Sequence, residues 1–534
     1  MSASCPQCGY NRQDNPPLSF EVADLTASRM DELLKSNTPP LPAEHVQLES
    51  AIGKGQECLD GLEERIAQAW ATLEVLFDER RRVKRTIESY RTIVRPILRV
   101  PEDIVREVFL TCLAISGNVV DTLSGWQFAP LVLSQVCRDW RSIALSTSRL
   151  WSSITLDFDL YDNELACHYL LQTYLLRSSM HDITLSIYST MEISDSHLIP
   201  VLFLSAPRWT DLSISIPYDS LHAFSAVRGS LHRLKRLSIE FIDDDIPELP
   251  DALTTPIFDA FEYAPLLRSV SIEGAPHATK QINLPWSQLT NYIGNDWTTS
   301  YIDVLKLAPT MVWISLRCDE DSVVDEAVPP SSHQRLRSLH VHEVEEILDS
   351  DIVPEGGIIH FLSHMEFPAL GYLTMTYEHP LVRVPTSLRG STARTLQVLT
   401  INTSFPISVE AQADLVALLK TTASLSKFSL SCPSIPAIDQ NDGIFLGLNA
   451  NTNPDIVPKL TTLAFRFIDE ELYVSPSFVD MVQSRRPRQA ASTRVVLQTL
   501  QLWVPAVIPP VDPDVAARWK DLCDEGFVMY RRLR

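Results

Sequence analysis

Ten short segments of one pattern, close to L-x-x-L-x-L, recur along the C-terminal two-thirds of this chain of 534 residues. They are WTDLSISI (209–216), LKRLSIEF (234–241), LRSVSIEG (267–274), MVWISLRC (311–318), LRSLHVHE (336–343), LGYLTMTY (370–377), LQVLTINT (396–403), LSKFSLSC (425–432), LTTLAFRF (460–467) and LQTLQLWV (497–504). Alternation with a period of two identifies strands. Helix-like stretches lie between several of them, for example SDSHLIPVLFLSA (194–206) and ISVEAQADLVALLKTTA (407–423). A strand followed by a helix cannot bury its apolar face alone, so such units stack on their neighbours. The competing arrangement is a mixed α/β domain that merely alternates the two elements.

Side chains alternate across a strand, so the Leu and Ile positions point inward and those between them line an open face. That lane holds Arg236, Glu240, Glu273, Trp313, Arg317, His340, His342, Tyr372, Lys427, Arg466 and Trp503 among many Ser and Thr residues. Trp and Tyr are residue types that anchor interfaces; Ser and Thr are also ordinary occupants of exposed strands. The lane is the candidate surface for a protein target. His340 and His342 share a face and Glu343 takes the other, so two imidazoles make no metal site.

The region resembles an irregular leucine-rich-repeat solenoid spanning 153–510, with a helix or tail at 511–534. The Asn that usually follows such a strand is mostly missing and the period drifts. Thirty-six prolines suit the loops of such an array.

Residues 48 to 94 carry a second periodicity. Leu48, Ile52, Gly55, Leu59, Leu62, Ile66, Ala69, Leu73, Leu76, Arg80, Val83, Ile87, Tyr90 and Val94 follow alternating steps of four and three. This is a coiled-coil seam. A helix over 42–94 would run about 80 Å. Pro39, Pro40 and Pro42 separate it from a short amphipathic piece holding Met30, Leu33 and Leu34 within the leader, 1–41. Gly55 and Arg80 interrupt the seam. A seam this narrow needs cover, from a second copy of the chain or from the upstream segment and the helices that follow. Cys5 and Cys8 form a lone CxxC with no second pair nearby, short of the four ligands zinc takes.

Between these regions, residues 95–152 hold two apolar helical patterns. RPILRVPEDIVREVFLTCL places Ile104 and Val108 at helical spacing behind Pro101, with Glu102 and Asp103 in the dipole-favoured first turn. LVLSQVCRDWRSIALSTSRLW puts Leu133, Val136, Cys137 and Trp140 on one stripe. Val100-Pro101-Glu102-Asp103-Ile104, Phe109, Val136-Cys137-Arg138-Asp139-Trp140 and Leu150-Trp151 together resemble the F-box. Val100 stands where that pattern usually has Leu, and Ser148 where Pro is common. SNTPPLPAE followed by ERRRVKRTIESYRTIVRPILRVPEDI is similar to the leader of F-box-like proteins of mushroom-forming fungi.

The resemblance implies a small three-helix domain that docks on a Skp-type adaptor of a cullin-containing ubiquitin ligase through Pro101, Ile104, Val108, Leu133, Val136 and Leu150. Phe109, Cys137, Trp140 and Trp151 would form its core. It also implies a non-enzymatic role, with the repeats holding the protein to be ubiquitylated. The alternative is a coiled-coil scaffold whose F-box-like helices pack only internally.

The overall fold expected is multidomain: a long helix, a small all-α domain and an α/β repeat array. No GxSxG, HExxH, P-loop or dinucleotide fingerprint is present, and GKGQ (53–56) lacks the Walker spacing. Asp243, Asp244 and Asp245 read as a solvated loop. A net charge of −22 opposes nucleic-acid binding, and RRRVKR (80–85) and SRRPR (484–488) are too short to reverse it. No apolar run reaches membrane-helix length, and no secretory signal opens the chain. Nine scattered cysteines form no disulfide framework, which suits reduced thiols in the cytoplasm or nucleus. No cofactor or metal is expected.

Overall fold

A computed structural model describes residues 20, 24–36, 38–94, 96–115, 129–160, 164–242, 258–274, 281–295, 298–319, 331–344, 357–433, 443–467, 472–486, 497–504, 507–508, 512–525 and 528–532. Cys5, Cys8 and Asp243–Asp245 lie outside them. The chain divides into two compact units, Met1–Ile104 and Val105–Arg534.

The first unit is built on helix α2, Pro42–Ile93, 52 residues long with no buried residue. Its start is set chemically. Pro42 takes the first helical position, and the Glu44 carboxylate accepts the Leu41 N–H at 2.8 Å. Helix α1, Ala27–Lys35, precedes it, and Arg29 joins the two by bonding Glu44 at 3.1 Å. That guanidinium holds the Glu44 carboxyl below the usual carboxylate range.

In the second unit a 14-stranded sheet dominates. Its strands are Ser153–Asp157, Ile183–Tyr188, Trp209–Ile216, Arg236–Phe241, Ser269–Glu273, Asn291–Asn295, Trp313–Asp319, Ser338–Val344, Tyr372–Tyr377, Val398–Thr403, Lys427–Cys432, Thr462–Phe467, Thr499–Val504 and Val528–Arg532. They lie side by side in chain order, each parallel to the next. This unbroken order marks a solenoid-like array rather than a doubly wound sheet, whose order reverses at a switch point. All ten sequence-read segments are strands in it.

Helices on the return path also stack in sequence. Glu164–Arg177 meets Leu198–Phe203, and Val409–Thr421, Gly443–Leu448, Pro476–Ser484 and Pro513–Asp524 form a run. The core lies between these helices and the inner face of the sheet. Leu237, Ile239, Val270, Ile272, Ile314, Leu316, Leu339, Val341, Leu373, Met375, Phe428 and Leu430 are all buried there. One glycine is compulsory: Gly274 has φ +89°, and a Cβ on it would collide with the Phe241 carbonyl. The helix expected in 511–534 is Pro513–Asp524. A strand follows it and pairs with Thr499–Val504, so this segment continues the sheet.

Three short helices precede the sheet: α3 (Glu102–Ile115), α4 (Ala129–Val136) and α5 (Arg138–Ser146), closed by a 3-10 turn at Ser148–Trp151. The portion from Val105 onward belongs to the same compact unit as the sheet. Trp151 carries this connection. It is fully buried, its indole N–H donates to the Ala144 carbonyl at 2.8 Å, and its ring meets Tyr174 edge-on at 5.0 Å. Arg177 covers its face at 4.4 Å. Trp151→Ala should therefore destabilise the second unit by about 3–5 kcal/mol, read from urea unfolding followed by circular dichroism.

Candidate functional site

Two surfaces answer to the sequence-read site residues. The first lies on the short helices. Phe109 is buried and meets Trp140 edge-on at 4.9 Å, while Trp140 itself is half-buried. Cys137 is half-buried too. Its sulfur caps α5 by accepting the Trp140 N–H at 3.4 Å. Arg106 ties α3 to the end of α5 through the Thr147 hydroxyl at 3.2 Å.

Among the expected docking residues, Pro101, Ile104, Val108 and Val136 are exposed, with Ile104 at 51%, Val108 at 49% and Val136 at 56%. Ile104 and Val108 are one turn apart on α3, hence on one face. Leu133 and Leu150 correct the expectation. They are buried among the helices and offer nothing to a partner. Apolar spacing alone does not separate the inner from the outer stripe of so short a helix. Val132 takes their place at the surface, 40% exposed and one turn before Val136. Its signal was the same i, i+4 spacing, read from Val136 backwards.

The second surface is the open face of the sheet. Strand register aligns its side chains in three rows across the strands, with neighbours about 4.8 Å apart. One row includes Asp211, Arg236, Ser269, Trp313, Tyr372 and Lys427. The middle row includes Ser213, Ser238, Ser271, Ser315, His340, Thr374, Thr400 and Ser429. A third row includes Ser215, Glu240 and Glu273 on the earlier strands, then Arg317, His342, Thr376, Asn402, Ser431, Arg466 and Trp503. Every lane residue singled out from the sequence is half-buried or exposed and lies in one of these rows. Charge is segregated along the third row: acidic on the earlier strands, basic on the later ones.

Several of these groups are already engaged. Arg236 pairs with Asp211, and Glu240 accepts the Ser215 hydroxyl at 2.9 Å. Trp313 and His340 rings meet at 5.3 Å. His342 Nε2 lies 2.9 Å from Glu378, which Arg317 approaches at 3.9 Å. Glu378 escaped the sequence reading because it sits just past its strand. Tyr372 is 51% exposed. Glu343 does take the opposite face: it is buried and accepts the Gly357 N–H at 2.7 Å, fixing a helix start. Among the described residues no cluster of three or more His, Cys, Asp or Glu could hold a metal ion. Burial pushes the Cys432 thiol up to about 12. No helix among the described residues is long and apolar enough to cross a membrane.

No family model matches the chain, and no curated protein matches it.

Burial lowers the pKa of both lane histidines from the ordinary 6.5; at His342, Glu378 opposes burial and Arg317 reinforces it. The folded state thus holds fewer protons than the unfolded chain just below that value. This contribution to stability is complete above about pH 6.5 and lost as pH falls through the folded values. NMR titration should place both imidazole midpoints below 6.5, and His342→Gln should lessen the acid sensitivity of the melting temperature.

Proposed function

We propose that this chain is a substrate adaptor of a Skp–cullin–F-box ubiquitin ligase. The short helices dock on the Skp-type adaptor, and the sheet, read as irregular leucine-rich repeats, holds the protein to be modified. The observation that carries this reading is the exposed valines of the second unit, Val108 on α3 and Val132 and Val136 on α4, beside the edge-on Phe109–Trp140 pair. Val108 lies one turn beyond the Ile104 that closes the Val-Pro-Glu-Asp-Ile segment, and Val136 opens Val-Cys-Arg-Asp-Trp. Large apolar side chains left bare on helices suit a protein interface.

The chain needs no chemistry of its own for this task. Holding a target beside a ligase raises the effective concentration of its lysines. The sheet face suits a folded or extended protein surface: Ser and Thr supply hydrogen bonds, Trp313, Tyr372 and Trp503 supply anchors, and the charge gradient selects a partner of the reverse polarity.

Burial of one such side chain contributes about 1.5–3 kcal/mol. Val108→Glu combined with Val136→Glu should therefore weaken binding to a purified Skp-type adaptor by about a hundredfold or more. Both residues are exposed, so the variant should keep the wild-type melting temperature. Unchanged affinity in calorimetry would refute the docking assignment.

A further inference from the structure

Helix α2 presents its seam to solvent: Leu73 is 44% exposed, Leu76 57%, Val83 45%, Ile87 44% and Tyr90 63%. We infer that a second copy of this chain covers that seam in a parallel, in-register coiled coil. The reading concerns the first unit alone and stands apart from the adaptor reading.

Residue choice at the seam argues for two parallel strands. With Ile52 at heptad position a, four of the seven a positions are β-branched (Ile52, Ile66, Ile87 and Val94) beside Leu59, Leu73 and Arg80, and Leu is the commonest d residue (Leu48, Leu62 and Leu76) beside Gly55, Ala69, Val83 and Tyr90. β-Branched residues at a with Leu at d favour parallel dimers over higher oligomers. Arg80 is the single charged residue at an a position. Such a residue lowers stability and fixes register, because any slip sets it against an apolar side chain of the other strand.

Charge complementarity points the same way. In a parallel pair, g of one heptad faces e of the next on the other strand. Here that sets Glu79 against the partner's Lys84, twice by symmetry, beside the two arginines at position 80. Among the described residues Glu79 is held within its own chain by an exposed pair with Arg82 at 2.6 Å, which competes weakly.

The upper end of the seam explains the glycine in it. The Phe20 ring lies over Gly55, so close that a Cβ there would stand 2.9 Å from it. Phe20 and Met30 join α2 to wall an open apolar groove of about 530 Å3 beside Ile52 and Leu59. Both remain more than half exposed despite α1. The upstream segment therefore sits on the seam itself at Gly55, and the stretch it leaves open to a second strand runs from Ile66 to Tyr90.

The test uses the full chain. Sedimentation velocity at micromolar concentration should give the dimer mass, and Leu73→Glu with Ile87→Glu should give the monomer while the thermal transition of the second unit stays unchanged. Arg80→Leu should lower the dimer dissociation constant tenfold or more. Tyr90→Cys should yield a covalent dimer under mild oxidation, beyond any formed by the native cysteines. A wild-type monomer, a trimer, a dimer that survives the double substitution, or capture of a different protein by the seam would each overturn the inference. A dimer without the Tyr90→Cys crosslink would be antiparallel and would overturn the stated geometry.

Discussion

The parallel backbone ladder of the sheet is the constraint on which the rest of the second unit depends. Each of the fourteen strands bonds only to its predecessor and its successor among the fourteen. That pairing fixes register, and register decides which side chains enter the core. A slip of one residue would send Leu237, Ile239 and their counterparts into water and drive Ser238 and Glu240 inward. The apolar core and the polar rows therefore arise together from one set of hydrogen bonds. Helices and 3-10 turns on the return connections cover the apolar side.

Much of this was legible because alternation survives where the motif is degenerate. All ten strands with a leading Leu-x-x or near equivalent were readable, and so were their inward and outward faces. Four strands were not. Ser153–Asp157 and Ile183–Tyr188 alternate well through Ile154, Leu156, Ile183, Leu185 and Ile187 but lack the leading residues. Asn291–Asn295 carries a glycine and two asparagines, types poor in strand propensity. Val528–Arg532 is short and ends in arginines. The last two are strands because a neighbour offers an edge to pair with, an influence their local pattern does not record.

In the helical cluster the legible part was the aromatic core, and the illegible part was orientation. Phe109, Trp140 and Trp151 stand out by type and spacing. Leu133 and Val132 are adjacent apolar residues on an eight-residue helix, and only packing against α5 and the closing turn decides that Leu133 goes in and Val132 stays out. Trp151 adds a link the sequence did not announce. Its contacts to Tyr174 and Arg177 brace the end of the cluster against the first long helix beside the sheet, so the short helices are packed onto the array rather than hinged to it by a loose linker.

The monotonic strand order has a further consequence, for descent rather than for stability. An array in which each strand pairs only with its two neighbours in the sheet can be lengthened or shortened by duplication or loss of one module in the middle. The pairing rules at the new junction are those already in use elsewhere. Descendants of such a chain can thus diverge in the extent and chemistry of their recognition face while the helices that precede it stay the same.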